Sequence, residues 1–184
     1  MQLSLFTFLS GYPAGSTIDA FVEDLRTARD EGFTTVWVPQ LPWEPDIVVA
    51  MAVAFREVDG ITLGTGVLPI QSRLPMVLAQ QALTLSLISG GRLRLGIGVT
   101  HAMVTEGMWG IPWDRPVRRL NEYLDGLLPL LAGEEAKATG ETSSTRGTVV
   151  VQGAPAPPVY VAALGPQMLR VTCLLYTSPS PRDS

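Results

Sequence analysis

The chain has 184 residues, of which 46% are hydrophobic and 16% are charged, a composition typical of one globular domain with a sizeable buried core. Its net charge of −4 argues against a nucleic-acid partner, which is usually bound by a basic face, and no stretch is long and apolar enough to cross a membrane. The chain has a single cysteine, which excludes an internal disulfide and suits a cytoplasmic protein. With only one histidine as well, a metal site built from His and Cys ligands is nearly excluded.

Short runs rich in β-branched and other apolar residues alternate with longer amphipathic runs. We predict main strands at residues 3–8, 34–39, 61–69, 92–100 and 157–165. We predict helices at residues 16–32, 46–60, 75–91 and 114–133, with another beginning at residue 166. A loop over residues 101–113 and a small extra strand within residues 145–153 complete the pattern.

The predicted helices carry start and stop signals. Ser16 and Asp114 are suited to cap the first and fourth helices. Gly32, Gly60 and Gly90 follow the apolar stripes of the first three helices, where glycine commonly ends a helix.

The predicted strands are continuous apolar runs, which indicates burial on both faces, as in a parallel sheet covered by helices. Strict alternation of strands and helices leaves two architectures, an open doubly wound sheet or a (β/α)₈ barrel. A barrel needs eight units and about 250 residues, whereas this chain reaches about five strands. No internal repeat or linker indicates a second domain.

Two strands end in a G-x-G pattern, within "LGTG" and "LGIG". Neither has the third glycine that a dinucleotide-binding fingerprint requires, so the pattern argues against that kind of site. The glycines either allow close packing of the strands or let a flat ligand lie against the backbone at the strand ends, where barrel enzymes hold their active sites. We favour the ligand interpretation.

Several polar or aromatic residues follow predicted strands and are candidates for a site. His101 directly follows the fourth strand, and is either a catalytic or merely an exposed histidine. Gln40 and Trp43 follow the second strand and are candidates to line a pocket. The alternative for Trp43 is that it covers the core. Arg73 is suited to hold an anion or pair with an acid, and Glu106 is interpreted as a solvated loop charge.

Four stretches together resemble the bacterial luciferase-like flavin or deazaflavin oxidoreductases: "ITLGTGVLPIQSRLP", "LISGGRLRLGIGVTH", "RPVRRLNEYLDGLLPLLAGE" and "VYVAALGPQML". The resemblance covers residues 1–172, which it identifies as the N-terminal part of one barrel domain. It implies a (β/α)₈ TIM barrel, here truncated after about five strands, with a flavin-type cofactor at the carboxyl ends of the strands. "GIGVTH" and "AALGPQM" are more similar to the branch that uses the deazaflavin coenzyme F-420 than to the FMN branch.

The resemblance also implies roles for individual residues. It predicts that the third strand bulges at a non-proline cis peptide, Gly66–Val67, which backs the cofactor ring. The other cofactor-binding residues that it implies are Trp43, Gly98, Thr100, His101, Ala163, Leu164, Gly165 and Pro166. Gln40 and His101 are the catalytic candidates, although relatives often carry histidine at the first position and some carry an acid at the second.

The implied activity is transfer of a hydride between coenzyme F-420 and an unidentified small organic substrate. Two alternatives stay open: an FMN-dependent monooxygenase of the same family, and a non-catalytic subunit that pairs with a catalytic one. Barrels of this type often dimerise through their helices, so a homodimer is one expectation for a full-length protein.

The last twelve residues, "CLLYTSPSPRDS", share no pattern with the rest of the chain. The first eleven of them resemble the translation of a sequencing adapter. We therefore expect residues 173–184 to be a non-native tail, and the 184-residue chain to be inactive and poorly soluble when expressed alone.

Overall fold

A computed structural model describes residues 4–12, 15–163 and 166–177 of the chain. The strands are β1 Ser4–Phe6, β2 Thr35–Val38, β3 Thr62–Thr65, β4 Leu68–Pro69, β5 Leu93–Gly98, β6 Ala136–Ala138, β7 Thr145–Gly147 and β8 Val159–Val161. The α-helices are α1 Thr17–Asp30, α2 Ile47–Glu57, α3 Pro75–Ser89, α4 Ala102–Thr105, α5 Pro116–Leu131 and α6 Pro166–Thr177, and a 3-10 turn spans Ile70–Ser72. The alternation of main strands and helices predicted from the sequence is confirmed.

The main strands form one parallel sheet in the order β1-β2-β3-β5, with β8 on the far side of β5. The short strand β4 also pairs with β5 and continues the line of β3. Leu63 lies opposite Leu93 and Leu68 lies opposite Ile97, so the β3–β4 strand has one residue more than β5 between these pairs. This extra residue is a β-bulge, and the peptide bond Gly66–Val67 within it is cis. Both features were predicted for the third strand and are confirmed.

The helices pack side by side on one face of the sheet, with α1 against α2, α2 against α3, and α3 against α5. The strand side chains that face them are fully buried, as Val36, Leu63 and Ile97 illustrate. Burying this face accounts for most of the hydrophobic stabilisation of the fold.

The opposite face of the sheet carries aromatic side chains. Trp37 of β2 and Tyr160 of β8 meet edge to face with 5.3 Å between ring centroids, although three strand spacings, about 14 Å in a flat sheet, separate their strands. The side chains converge because the sheet curves toward this face, as a barrel wall does. Phe6 is 51% exposed and Tyr160 is 43% exposed. The predicted burial of both faces therefore does not hold within the described residues, since none of the described elements covers the concave face.

Helix ends agree with the predictions at some positions and correct them at others. Ser16 holds the N-cap position of α1, and its carbonyl accepts from the Ala20 N–H at 2.8 Å, but its side chain makes no capping hydrogen bond to the helix. Gly90 ends α3 in the left-handed conformation, as glycine does without steric cost. Asp114 does not cap α5, because Arg115 occupies the cap position and the Asp114 carboxylate instead accepts from Arg119 at 2.8 Å.

Other elements also differ from the predictions. Helix α2 ends at Glu57, three residues before the predicted end at Gly60, because Val58 has an extended backbone. The predicted loop over residues 101–113 contains α4. The predicted small strand is confirmed as β7, which pairs antiparallel with β6, a strand that was not predicted.

The carboxyl-terminal part of the chain is described as far as residue 177. Helix α6 runs through Thr177, past the predicted end of the domain at residue 172. The interpretation of residues 173–184 as a non-native tail stays a prediction, and residues 178–184 lie outside the described residues. Within the described ranges, no helix has the length and apolarity needed to span a bilayer.

Candidate functional site

The carboxyl ends of the parallel strands lie at the same edge of the sheet, and main-chain hydrogen bonds join neighbouring strands there. The Gly66 N–H donates to the Val38 carbonyl at 2.7 Å, and the Gln40 N–H donates to the Val67 carbonyl at 3.4 Å. These two bonds tie the bulge to the end of β2. The edge is therefore a connected surface on which the loops after β2, β4, β5 and β8 converge.

Protein atoms occupy the space beside the glycines of the two G-x-G patterns. A Cβ at Gly64 would lie 2.3 Å from the Trp37 ring, and one at Gly66 would lie 2.9 Å from the Phe6 ring. A Cβ at Gly96 would lie 1.9 Å from the Thr65 carbonyl oxygen.

The fourth glycine of these patterns has a similar environment. A Cβ at Gly98 would lie 3.1 Å from both Val67 Cγ2 and Ala162 Cβ. The structure thus supports close packing at all four glycines, the interpretation that the sequence analysis did not favour. Cofactor contact at Gly66, Val67 and Gly98 stays a prediction.

A cleft of about 390 Å³ opens beside the end of β5. Its lining is mainly apolar, and its residues come from the end of β5, the loop before α5, and the first turns of α5 and α6: Val99, Thr100, His101, Trp113, Pro116, Val117, Pro166, Gln167 and Met168. The Thr100 N–H donates to Gln71 Oε1 at 3.3 Å, and the His101 carbonyl accepts from the Val104 N–H at 2.9 Å. We call this space the β5 cleft. It brings together three residues predicted for the cofactor site, Thr100, His101 and Pro166.

A second cleft of about 450 Å³ adjoins the β5 cleft and shares Pro116, Val117 and Gln167 with it. Its remaining lining residues are Arg115, which directly precedes α5, and Arg118 and Asn121 of α5. Arg115 and Arg118 both pair with Glu141, Arg118 at 2.6 Å. We call this space the arginine cleft. The lining is thus apolar near His101 and carries two ion-paired arginines at the start of α5, because Arg115 also pairs with Asp114.

Gln40 and Trp43 lie elsewhere on the same edge. Gln40 Oε1 accepts from the Ile47 N–H at 3.0 Å, and Gln40 Nε2 donates to the Leu41 carbonyl at 2.9 Å. These bonds hold the loop between β2 and α2. Trp43 is 63% exposed, so it does not cover the core.

Gln40 lines a third cleft of about 400 Å³, which also includes Asp46, Arg73 and Trp109. We call it the Arg73 cleft. The Arg73 guanidinium pairs with Asp46 and donates to Gln81 Oε1 at 3.2 Å, which agrees with the predicted pairing with an acid. The two catalytic candidates, Gln40 and His101, therefore line different clefts, and their catalytic roles stay predictions.

Several observations correct or extend the residue assignments. Glu106 is not simply a solvated charge, because its Oε1 accepts from the Trp113 N–H at 2.9 Å and so fixes the loop before α5. Arg115, Arg118 and Gln167 were not among the site residues predicted from the sequence. The run of arginines at the start of a helix was the available signal, since helix N-termini favour anions.

The remaining predicted residues lie at the end of β8. Ala163 follows that strand, and Pro166 begins α6. Leu164 and Gly165, between them, lie outside the described residues. In the described ranges, no group of three or more His, Cys, Asp or Glu side chains is placed to hold a metal ion.

Comparisons with known proteins agree with this fold. The sequence pattern of the luciferase-like monooxygenase family matches residues 1–175. The chain is 30% identical over 146 residues to 5,10-methylenetetrahydromethanopterin reductase of Methanolobus tindarius, an alignment that covers 79% of this chain and 44% of that protein.

Two solved structures show the same arrangement. The coenzyme F-420-dependent tetrahydromethanopterin reductase from Methanopyrus kandleri superposes with a TM-score of 0.79 and 22% identity, over 93% of this chain and 52% of that one. The oxygenating constituent of 3,6-diketocamphane monooxygenase from Pseudomonas putida, in complex with FMN, gives a TM-score of 0.74 and 19% identity, over 88% of this chain and 51% of that one.

The chain spans about half the length of these relatives. Its curved parallel sheet and outer helices correspond to part of a (β/α)₈ barrel. The match to the family pattern extends over nearly all of the sequence, and the bulged third strand lies where the resemblance placed it. The chain belongs to the luciferase-like monooxygenase family.

Proposed function

We propose that this chain forms the cofactor-binding part of an oxidoreductase that transfers a hydride between coenzyme F-420 and a small organic substrate. The observation that carries the proposal is the pair of adjoining clefts, the β5 cleft and the arginine cleft, which share Pro116, Val117 and Gln167. Ligand sites of enzymes are commonly largely apolar clefts of this size with a few convergent polar groups.

The residues present fit a flat ring that carries an anionic chain. Val99 and Val117 offer apolar surface in the β5 cleft, where a ring would lie. Arg115 and Arg118 offer guanidinium groups, which bind phosphate well because their donors match its oxygens. The first turn of α6 adds backbone N–H groups that favour an anion.

A bound deazaflavin would supply the hydride-transfer chemistry at the carbon of its central ring. The contribution of this chain is to orient the ring and exclude water from it. The His101 side chain lies at the wall of the β5 cleft, and an imidazole nitrogen is able to donate or accept a proton. We assign His101 the exchange of the proton that accompanies oxidation or reduction of a substrate carbon–oxygen bond.

An FMN-dependent monooxygenase is the second candidate. It is supported by the structural likeness to the P. putida enzyme that was solved with FMN. The same cleft would hold the phosphate of FMN at Arg115 and Arg118, so the cofactor has to be distinguished by measurement.

The test is an equilibrium titration of the 184-residue chain with coenzyme F-420 and with FMN, followed by cofactor fluorescence and visible absorbance. We expect saturable binding that is tighter for coenzyme F-420, and binding about tenfold weaker in Arg118→Gln, because a hydrogen bond to a charged group is lost. Such binding by a soluble chain would overturn the expectation from the sequence that the chain is poorly soluble when expressed alone. Arg26→Gln, which changes a half-buried, ion-paired arginine of α1 far from the clefts in sequence, is the matched control and should bind as the unaltered chain does. Tighter binding of FMN would favour the monooxygenase, and binding of neither cofactor would contradict both candidates and favour a non-catalytic subunit.

A further inference from the structure

The backbone of Gly96 faces the bulge and cannot form the regular ladder there. Successive residues of a parallel strand direct their N–H and C=O groups to opposite neighbours. The Leu95 N–H donates to the Pro158 carbonyl at 2.9 Å, and the Ile97 carbonyl accepts from the Ala162 N–H at 2.9 Å. Both of those residues therefore pair toward β8, whereas Gly96 between them pairs toward β3 and the bulge.

The side chain of Thr65 replaces the missing backbone partner. Thr65 Oγ1 donates to the Gly96 carbonyl at 2.6 Å and accepts from the Gly96 N–H at 2.8 Å. Thr65 is fully buried, so no solvent competes for these groups. A hydroxyl is suited to this position because one oxygen both donates and accepts.

Thr65 immediately precedes the Gly66–Val67 segment, and its two bonds hold that segment against β5. The Val67 side chain then lies over the glycines of β5, with its Cγ1 3.4 Å from the Cβ position of Gly96 and its Cγ2 3.1 Å from that of Gly98. Gly98 leads directly to Val99 and Thr100 in the wall of the β5 cleft. The Thr65 hydroxyl is thus linked to the wall of the β5 cleft through Val67 and the backbone from Gly98 to Thr100.

We propose that Thr65 is a positioning residue, whose hydroxyl fixes the 66–67 segment against Gly96 and thereby shapes the surface on which the cofactor ring lies. The inference rests on the proposed function. A purely space-filling role for Thr65 would make only its volume important. Thr65→Val keeps nearly the same volume and removes the hydroxyl, whereas Thr65→Ser keeps the hydroxyl and removes a methyl group, so the two variants separate the interpretations.

The first test is titration of the 184-residue chain and its variants with coenzyme F-420 and with FMN. For whichever cofactor the unaltered chain binds, we expect Thr65→Val to raise the dissociation constant about tenfold or more and to reduce the absorbance shift of the bound ring, while Thr65→Ser stays within about threefold. Thr172→Val is the matched control, because Thr172 is also buried and, within the described residues, its hydroxyl bonds to carbonyls of its own helix. The control should bind as the unaltered chain does.

The second test does not depend on cofactor binding. Amide hydrogen exchange measured by NMR should be faster at Gly96 in Thr65→Val, and the Gly66 and Val67 resonances should move, while Thr65→Ser stays close to the unaltered chain. If the unaltered chain binds neither cofactor, the proposed function fails and exchange at Gly96 still decides whether Thr65 holds the bulge. Normal binding and normal Gly96 exchange in Thr65→Val, or equal losses in Thr65→Val and Thr65→Ser, would overturn the inference.

Discussion

Substituting the two glycines of β5 with alanine tests the packing around the bulge most sharply. Gly96 and Gly98 are two residues apart on the same strand, and the substitution adds one methyl group in each case. At Gly96 the new Cβ would lie 1.9 Å from the Thr65 carbonyl oxygen, which is a backbone atom. At Gly98 it would lie 3.1 Å from side-chain carbons of Val67 and Ala162.

The contacts predict a large difference in stability. A methyl group 1.9 Å from a carbonyl oxygen requires the bulge to move by more than about 1 Å, and overpacking of a core costs about 1–3 kcal/mol. That movement also breaks the two hydrogen bonds between Thr65 and Gly96, each worth about 1 kcal/mol. Gly96→Ala should therefore lower the free energy of unfolding by roughly 3–5 kcal/mol. Gly98→Ala should lower it by about 1 kcal/mol, because its neighbours are side-chain methyl groups that have only to yield slightly.

The assay is urea unfolding of both variants and the unaltered chain, followed by tryptophan fluorescence and far-ultraviolet circular dichroism. We expect the midpoint of Gly96→Ala to fall well below that of Gly98→Ala, and a Gly96→Ala chain that does not fold would be the extreme of the same result. Equal midpoints for the two variants would refute the proposed contact between Gly96 and the bulge.

Three further perturbations test the fold around the site. Arg92→Met should lower the free energy of unfolding by roughly 3 kcal/mol, because the Arg92 guanidinium donates to carbonyls at the end of α2 and before β3. Thermal unfolding measures the loss of stability, and an unchanged midpoint would contradict the prediction. The Glu122 carboxylate accepts hydrogen bonds from the Thr142 hydroxyl and N–H, which lowers the pKa of Glu122 to about 2. The ionised carboxylate therefore stabilises the fold above its unfolded pKa near 4.5, and this contribution is lost as the pH falls toward about 2. The stability difference between the unaltered chain and Glu122→Gln should shrink over that interval in urea unfolding, whereas a constant difference would argue against the shift. Gly64→Ala should displace the Trp37 ring, which lies 2.3 Å from the added Cβ, and change the tryptophan emission spectrum, whereas an unchanged spectrum would show that this contact is absent.

The order of elements could be predicted from the sequence because burial imposes it locally. The apolar runs of β2, β3 and β5 and the apolar stripes of the helices appear directly in the sequence, and the glycine after α3 ends that helix as expected. Strand β6 could not be predicted, since its three residues form a strand only through pairing with β7. Asp114 illustrates the same limit, because its carboxylate is taken by Arg119 five residues later and is not available to cap the helix.

The candidate site was less accessible to sequence reasoning, because its contacts join distant residues. The glycines of "LGIG" face Thr65 and Val67 about thirty residues earlier, a relation that no local pattern encodes. Gln40 follows a strand as a catalytic residue would, but its amide is used within its own loop. The arginine cleft depends on α5 meeting the first turn of α6 at Gln167, and only the folded chain brings these together.

Amide chemical-shift changes, recorded as coenzyme F-420 is added to the isotopically labelled 184-residue chain and as FMN is added in a parallel experiment, would locate the cofactor on the protein. We expect the largest changes at Val67, Thr100, His101 and Gln167, around the β5 cleft and the bulge. Changes concentrated instead at Gln40 and the Arg73 cleft, or no changes with either cofactor, would contradict this expectation.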